Sequence, residues 1–546
     1  MHQQQMITVI KKASFWTWVP VLMAALGACT GSGSPGEQGN KRPNIIFIMS
    51  DDHAYQAISA YDSSLIQTPH IDRLAKEGMR FTNASVTNSI CAPSRAVILT
   101  GKHSHINGKI DNLSPFDTTN VTFPMLLQKA GYQTAMFGKL HFGNNPKGFD
   151  EFKILPGQGD YYNPRFITQD GDTTITGYVT DITTDLTLDW MEQRRDTAKP
   201  FLLMYLHKAP HRSWLPAQRH YPEFTKKTYP LPPTLFDDYR TRGDAAKTAE
   251  MGILKDMLLR YDLKVPKTVL DGMGISERLG SGGVDRMNPE QRAAWDAVYD
   301  PIAEDFKKRH GEMNDSLLTV WKYQRYMQDY LGTIAAVDEN VGRLLDYLDA
   351  EGLTENTMVV YTSDQGFYLG EHGWFDKRFM YNESFKTPLL VRWPNVITPN
   401  TTETEMVQNL DFAQTFLEAA GAQVPSDMQG ESLMPLFKGE KDRWQRDAVY
   451  YHYYEYPAEH AVKRHYGMAT QAYKLMHFYF DVDQWELYDR KKDPQEVNNV
   501  YDDPAYADVL QQMKEKLLET RKKYKDSTDL DRKFIERYRE KGLITP

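Results

Sequence analysis

Four short apolar runs punctuate the chain, and each ends in polar or charged side chains. Asn44–Met49 runs into Ser50-Asp51-Asp52, and Gln133–Phe137 runs into Gly138-Lys139-Leu140-His141. Phe201–Leu206 runs into His207-Lys208-Ala209-Pro210-His211, and Met358–Tyr361 runs into Thr362-Ser363-Asp364-Gln365-Gly366. Consecutive apolar residues over so short a span predict strands buried on both faces. Helical spacing fills the intervals. Tyr330, Ile334, Val337, Val341, Leu344, Leu345 and Leu348 fall on one helical face, and similar patterns cover 71–78, 122–130, 185–194 and 411–420. Strands alternating with helices predict an α/β fold with a large, mostly parallel or mixed sheet sandwiched by helices. Ligands of such sheets bind beyond the carboxyl ends of the strands, so the four polar clusters are expected to meet on one rim.

Two stretches depart from this alternation. Residues 222–320 are rich in charge, Pro and Gly, including Pro230-Leu231-Pro232-Pro233 and Gly280-Ser281-Gly282-Gly283. They read as an insertion of loops and short helices in a catalytic domain over 43–440, a place where specificity can reside. From residue 441 to 546 the composition shifts to the tyrosine-rich Tyr450–Tyr456, strand-like Gly467–Phe480 and a terminal helix within Asp503–Lys525. A smaller C-terminal α+β subdomain is expected there.

The charge balance is mildly acidic, with 64 Lys and Arg against 73 Asp and Glu in 546 residues. This argues against a nucleic-acid partner, which needs a basic face, but leaves room for a local basic pocket. The two cysteines are Cys29 and Cys91. Lys11 and Lys12 precede an apolar stretch from Phe15 to Ala28 that is too short to span a bilayer. Its end, Leu26-Gly27-Ala28-Cys29, resembles a bacterial lipoprotein signal: residues 1–28 would be removed, Cys29 lipidated, and 29–42 left as a flexible tether. The expectation is an exported lipoprotein, periplasmic or at the cell surface, whose only link to a membrane is the lipid. Cys91 then has no disulfide partner in the chain.

Cys91-Ala92-Pro93-Ser94-Arg95 leads into Ala96-Val97-Ile98-Leu99-Thr100-Gly101. Proline favours a helix's first turn and glycine the position past its end, which predicts a short helix starting near Pro93. Cys91 would lie at its amino end, where free N–H groups and the dipole favour an anion, with Arg95 four residues on. Cys-x-Pro-Ser-Arg followed by Leu-Thr-Gly resembles the signature of the type I, formylglycine-dependent sulfatases of the alkaline phosphatase superfamily. The other clusters follow in the family's order over roughly residues 43–500.

That resemblance implies an alkaline phosphatase-like fold and conversion of Cys91 to formylglycine by a separate maturation enzyme. The formylglycine hydrate is a geminal diol: one hydroxyl attacks sulfur, and the second collapses the resulting sulfated hemiacetal to release sulfate. The resemblance also implies one divalent cation on Asp51, Asp52, residue 91, Asp364 and Gln365. Oxygen donors of this kind suit Ca²⁺. Gln365 departs from the family, which often carries Asn or His there. Arg95 would hold the residue 91 hydroxyl, and Lys139 and Lys377 the sulfate oxygens. His141 would assist the diol and His211 protonate the leaving oxygen. His207 reads as a buried structural histidine. His53 and His372 stay open between lining the site and packing.

The run Gly366–Arg378, together with Lys463-Arg464-His465-Tyr466-Gly467, resembles the glucosamine-6-sulfatase branch. This implies a sulfated carbohydrate substrate: the 6-O-sulfate of N-acetylglucosamine or N-sulfoglucosamine in glycosaminoglycan or mucin glycans. Asp376, Arg378 and His465 would contact the sugar; alternatively, Asp376 and Arg378 form a structural ion pair. Competing readings are a sulfatase for another sulfated sugar, a phosphate or phosphonate monoester hydrolase of the same superfamily, and a glycan-binding lipoprotein on an inactive fold.

Overall fold

The four apolar runs are strands, and they lie side by side. In the computed structural model, which describes residues 42–544, the strands in chain order are β1 (Asn44–Ser50), β2 (Met79–Phe81), β3 (Ala84–Ser85), β4 (Gln133–Lys139), β5 (Glu151–Leu155), β6 (Arg165–Thr168), β7 (Gly171–Thr174), β8 (Phe201–Leu206), β9 (Thr357–Ser363), β10 (Leu389–Arg392), β11 (Thr401–Glu403), β12 (Val407–Gln408), β13 (Val449–Tyr453), β14 (His465–Ala469), β15 (Tyr473–Phe478) and β16 (Gln484–Asp489). Ten of them form one sheet in the order β11-β2-β10-β9-β1-β8-β4-β5-β6-β7. Its centre, β9-β1-β8-β4-β5, is parallel. Both flanks bring in antiparallel pairs, β9 with β10 on one side and β5 with β6 on the other. The sheet is therefore mixed around a parallel middle. The expected leader and Cys29 lie outside the described residues.

Register aligns the strand exits. Ser50 pairs with Ser363, Met49 with Leu206, and Gly138 with Leu206. The next residues along each strand, Asp51, Asp364, His207 and Lys139, therefore leave the sheet at nearly one level. Gly138 permits this at β4: its φ is +107° and a Cβ there would collide with the Leu206 carbonyl.

Alternation along β1 builds a core on each side of the sheet. Ile45, Phe47 and Met49 face one layer with Phe412 and Phe416, while Ile46 and Ile48 face the other with Val337, Val341 and Leu344. The second layer is covered by the 36-residue helix Asp315–Ala350. All seven residues of its apolar stripe are fully buried, a gross stabilisation of about 10–20 kcal/mol that ordering the chain largely offsets.

The insertion holds more regular structure than expected. Its short helices are joined by Pro289–Arg309, a 21-residue helix started by an Asn288–Gln291 capping box with Pro at its first position. Only Trp295, Tyr299, Ala303 and Phe306 of this helix are buried, too thin a stripe to stand out from the charge around it. The C-terminal sheet is antiparallel, in the order β13-β14-β15-β16. The expected terminal helix is Ala507–Lys523, and a further one, Thr528–Glu540, follows it. This small sheet shares an apolar cluster with the rest: Val97 and Leu410 pack with Tyr450, Leu475 and Leu517. Among the described residues no helix is long and apolar enough to cross a membrane.

Candidate active site

The β1 and β9 exits supply Asp51, Asp52, Asp364 and Gln365, each with no exposed surface. Asp52 adopts a φ of +64°, in the left-handed region an L-residue enters only when its surroundings hold it there. Its amide donates to Asp364 Oδ1 at 3.1 Å, and the Gln365 amide group donates to Asp52 Oδ1. Asp52 Oδ2 and Gln365 Oε1 are buried with no hydrogen-bond partner, and Asp51 Oδ2 faces only the Arg95 and Lys139 cations. Oxygens of two carboxylates and an amide, converging in a buried pocket, fit a hard divalent cation. Gln365 is compatible with that role because its nitrogen is engaged and its oxygen is free.

Helix Cys91–Thr100 starts two residues before Pro93, so Cys91 is its first residue and proline its third. The Ala92 amide donates to Asn112 Oδ1 at 3.1 Å, satisfying one N–H of the first turn. Cys91 Sγ lies 3.4 Å from Asp51 Oδ1 and 3.5 Å from Lys377 Nζ. Arg95 reaches across to Asp364 Oδ2 (2.9 Å) and Asp51 Oδ2 (3.3 Å). Lys139 pairs with Asp51, and Lys377 with Asp52. His211 Nε2 is 3.7 Å from Asp52 Oδ2. Residue 91 therefore sits where three acids, two lysines and an arginine meet.

Burial and this crowd of charges set the protonation states. Burial pushes the Cys91 thiol up to about 12, which leaves it neutral and a poor nucleophile. Asp52 is pushed up to about 7 by burial, which Lys377 opposes and Asp364 and Asp376 reinforce; a cation on its free oxygen would favour the ionised form. Burial pushes His141 down to about 2, with Lys139 and Arg95 acting the same way. Burial and the Lys139, Lys377 and Lys208 ammoniums hold His211 well below the ordinary imidazole range. Both rings are neutral before an anion enters. His141 stands at a φ of +65°, and its Nδ1 has no partner.

Two histidines left open by the sequence are structural. His53 is wedged between Tyr361 Oη (2.6 Å) and the Ala57 carbonyl (3.1 Å). His372 is held by Asp237 and Arg242 from the insertion, at 3.2 and 3.0 Å. His207 is fully buried with both ring nitrogens unpartnered.

The sulfatase family model matches residues 43–422. The chain belongs to the sulfatase family. A second model, described as N-sulphoglucosamine sulphohydrolase, C-terminal, matches residues 370–523. The chain is 48% identical over 527 residues to N-acetylglucosamine-6-O-sulfatase of Bacteroides thetaiotaomicron, across 95% of this chain and 93% of the relative. It is 26% identical to human N-acetylglucosamine-6-sulfatase, across 79% of this chain and 70% of that one. The solved structure of BT4656 in complex with its substrate D-glucosamine-2-N,6-O-disulfate superposes with a TM-score of 0.86 at 50% identity, covering 90% of this chain and 99% of the other.

As a sulfatase the protein is an enzyme that hydrolyses sulfate esters, and the loop bearing Lys377 shows how a substrate pocket is framed. Lys377 turns inward to Asp52 while its neighbours Asp376 and Arg378, at φ +74° and +94°, pair beside it at 2.9 Å. Arg378 also reaches Glu455 at 3.1 Å. The ion pair foreseen as one alternative is thus formed; Asp376 Oδ1 remains outside it, 3.7 Å from His460 Nε2. His465 makes no hydrogen bond to that pair. It lies fully buried in an aromatic layer with Tyr451, Tyr453, Phe379 and Phe478, its Nδ1 on the Lys463 carbonyl at 2.8 Å and its Nε2 unpartnered.

The sequence reading passed over three residues of this sulfatase site. Glu455 and His460 sit in a loop with no apolar period to fix its position, and nothing in their spacing marks them. Lys208 had a signal, since it lies in one of the four rim clusters. It is 4% exposed and stands 4.6 Å over the Tyr161 ring. Unlike Lys139 and Lys377, it makes no ion pair among the described residues. Burial pulls it down to about 8, against Asp160, Asp52 and Cys91.

Proposed function

We propose that the enzyme removes the 6-O-sulfate from a terminal N-acetyl- or N-sulfoglucosamine of a glycosaminoglycan or mucin glycan, using formylglycine at position 91 and one divalent cation. The observation that carries this reading is the Asp376-Lys377-Arg378 turn. It aims one cation at the reacting centre and holds a carboxylate–guanidinium pair beside it, as a sulfate ester on a hydroxylated ring requires. The named activities of the 48% identical relative and of the sugar-bound neighbour support the same substrate.

Asp51, Asp52, Asp364 and Gln365 would hold the cation, which supplies charge neutralisation to the sulfate and acidity to a hydroxyl on residue 91. Formylglycine would supply that hydroxyl; the neutral Cys91 thiol itself is not a competent nucleophile. Lys377, Lys139 and Lys208 draw the sulfate to residue 91 and take up charge as the ester oxygen departs. Arg95, braced on Asp364 and Asp51, keeps the helix end and the acid cluster in register. An arriving sulfate counters the lysines that depress His211, so this ring can protonate the leaving sugar O6. His141, neutral and with a free nitrogen, accepts a proton from residue 91 as sulfate is released.

Two measurements test this on protein from a host able to mature sulfatases. Mass spectrometry of the peptide holding residue 91 should show formylglycine, and N-acetylglucosamine-6-sulfate should yield sulfate and N-acetylglucosamine. Formylglycine without release from any 6-sulfated glucosamine overturns the substrate. Unmodified cysteine in fully active protein overturns the nucleophile. Faster turnover of an aryl phosphate than of the sulfated sugar favours the phosphohydrolase reading instead.

A further inference from the structure

A second cationic cavity lies outside the catalytic centre, at the seam between the large sheet and the C-terminal sheet. It has a volume of about 370 Å³ and is lined by Tyr55, Asn83, Lys386, Thr404, Gln471 and Arg490 among others. In a chain with more acids than bases, its two cations stand out because neither makes an ion pair among the described residues. Arg490 donates only to the Thr470 carbonyl, and its Nε is buried with no partner. Lys386 stands 5.9 Å over the Tyr55 ring with no hydrogen bond from its ammonium. The buried acids that bear on them are committed elsewhere, Glu496 to Lys474 at 2.6 Å and to the Asn382 amide at 2.9 Å, and Glu383 to His372 at 3.5 Å.

Lys386 is held below its ordinary range by burial and Arg490, against Glu496 and Glu383, and Arg490 by burial, against Glu496 and Tyr55. Two half-buried cations without an ion-pair partner favour an anion between them. Around them stand an aromatic face and the side chains of Asn83, Thr404 and Gln471, groups that suit a sugar ring and its hydroxyls. The volume holds a ring and not merely an ion.

We propose that this cavity is an exosite for an anionic sugar unit, sulfated or carboxylated, elsewhere on the same glycan chain whose terminal residue occupies the catalytic centre. This rests on the substrate reading above. The cavity is anchored to the catalytic segments: Lys386 directly follows helix Asn382–Phe385, whose Ser384 carbonyl accepts hydrogen bonds from the Gly366 amide and from Ser89 Oγ, both at 3.0 Å. Ser89 lies two residues before Cys91.

The test compares substrate lengths. The wild type and the double variant Lys386→Met/Arg490→Gln are assayed on N-sulfoglucosamine-6-sulfate and on a heparin-derived hexasaccharide carrying the same terminal unit. The variant should keep the monosaccharide kcat/KM and raise KM for the hexasaccharide about tenfold or more, as expected for lost charged hydrogen bonds. Asn83→Asp, which adds a carboxylate at a half-buried lining position, should reproduce the loss without touching either cation. Independently of turnover, titration calorimetry of the hexasaccharide into the Cys91→Ala protein should weaken by the same factor when the cavity variants are added. Equal kcat/KM changes on both substrates, or unchanged hexasaccharide affinity, overturn the exosite. So does a cavity that binds inorganic sulfate and shows no dependence on chain length. If the wild type releases sulfate from neither sugar but the calorimetric difference persists, the substrate assignment fails and the exosite stands.

Discussion

Replacing Asp376 by Ala separates recognition of the sugar from chemistry on the sulfate. One carboxylate oxygen, Oδ2, is engaged by Arg378 at 2.9 Å, and the other, Oδ1, has only His460 at 3.7 Å. A single oxygen is therefore available to a ring hydroxyl. A hydrogen bond to an ionised carboxylate is worth about 1.5–3 kcal/mol, so kcat/KM on N-acetylglucosamine-6-sulfate should fall roughly 10- to 150-fold. A small aryl sulfate, which has no ring hydroxyl, should lose much less. Arg378 keeps Glu455 at 3.1 Å, so the variant should fold, at a cost toward the lower end of the ~3–5 kcal/mol for breaking a buried pair. The Arg378 guanidinium, with His460 and Lys377, outweighs burial and holds the Asp376 carboxyl below the usual range. A depressed acid loses its contribution only as pH falls through its folded value, so the selectivity should stay constant from about pH 5 to 8. The assay is steady-state sulfate release on both substrates, with a melting curve for each protein. Equal losses on sugar and aryl sulfate would refute the argument and leave Asp376 a purely structural partner of Arg378.

Lys377→Met removes the cation shared by Asp52 and residue 91 and should lower turnover of both substrates by at least about 100-fold; unchanged kcat on the aryl sulfate would exclude it from the sulfate site. Lys208→Met, which deletes a cation that makes no ion pair among the described residues, should raise KM for sulfated sugars about tenfold with little change in melting temperature, and an unchanged KM would make it a packing residue against Tyr161. Chelation followed by dialysis should abolish activity and lower the melting temperature, because Asp51, Asp52 and Asp364 then repel one another in a buried pocket. Ca²⁺ should restore both, and full activity in chelator would contradict a cation on these oxygens.

The four central strands β1, β4, β8 and β9 were legible because each is buried on both faces and announces itself as an apolar run. The long helix was legible because seven residues recur at its period. The catalytic cluster was legible for a related reason. Its members sit at the ends of strands that must align in register, or within five residues past them, so local sequence and sheet topology together place Asp51, Lys139, His211 and Asp364 on one rim. Residue 91 and Arg95 followed from a helix start that four residues define.

What chain order could not decide is set by packing between distant segments. Asp376 and Arg378 read equally as an ion pair or as ligands of a sugar, and only the left-handed turn around Lys377 shows them paired with one oxygen left over. His460 comes to Asp376, and His465 to an aromatic layer behind it, through the approach of the C-terminal sheet, which no local pattern encodes. The 289–309 helix was hidden because it buries too few residues to carry a period. The empty pairing of Lys386 and Arg490 is likewise a tertiary fact: a lysine and an arginine 104 positions apart become one site only because two sheets meet there and the nearby acid is already taken. Local sequence determines which residues want to be buried and where strands end. Which charges lack a partner depends on what the fold brings beside them.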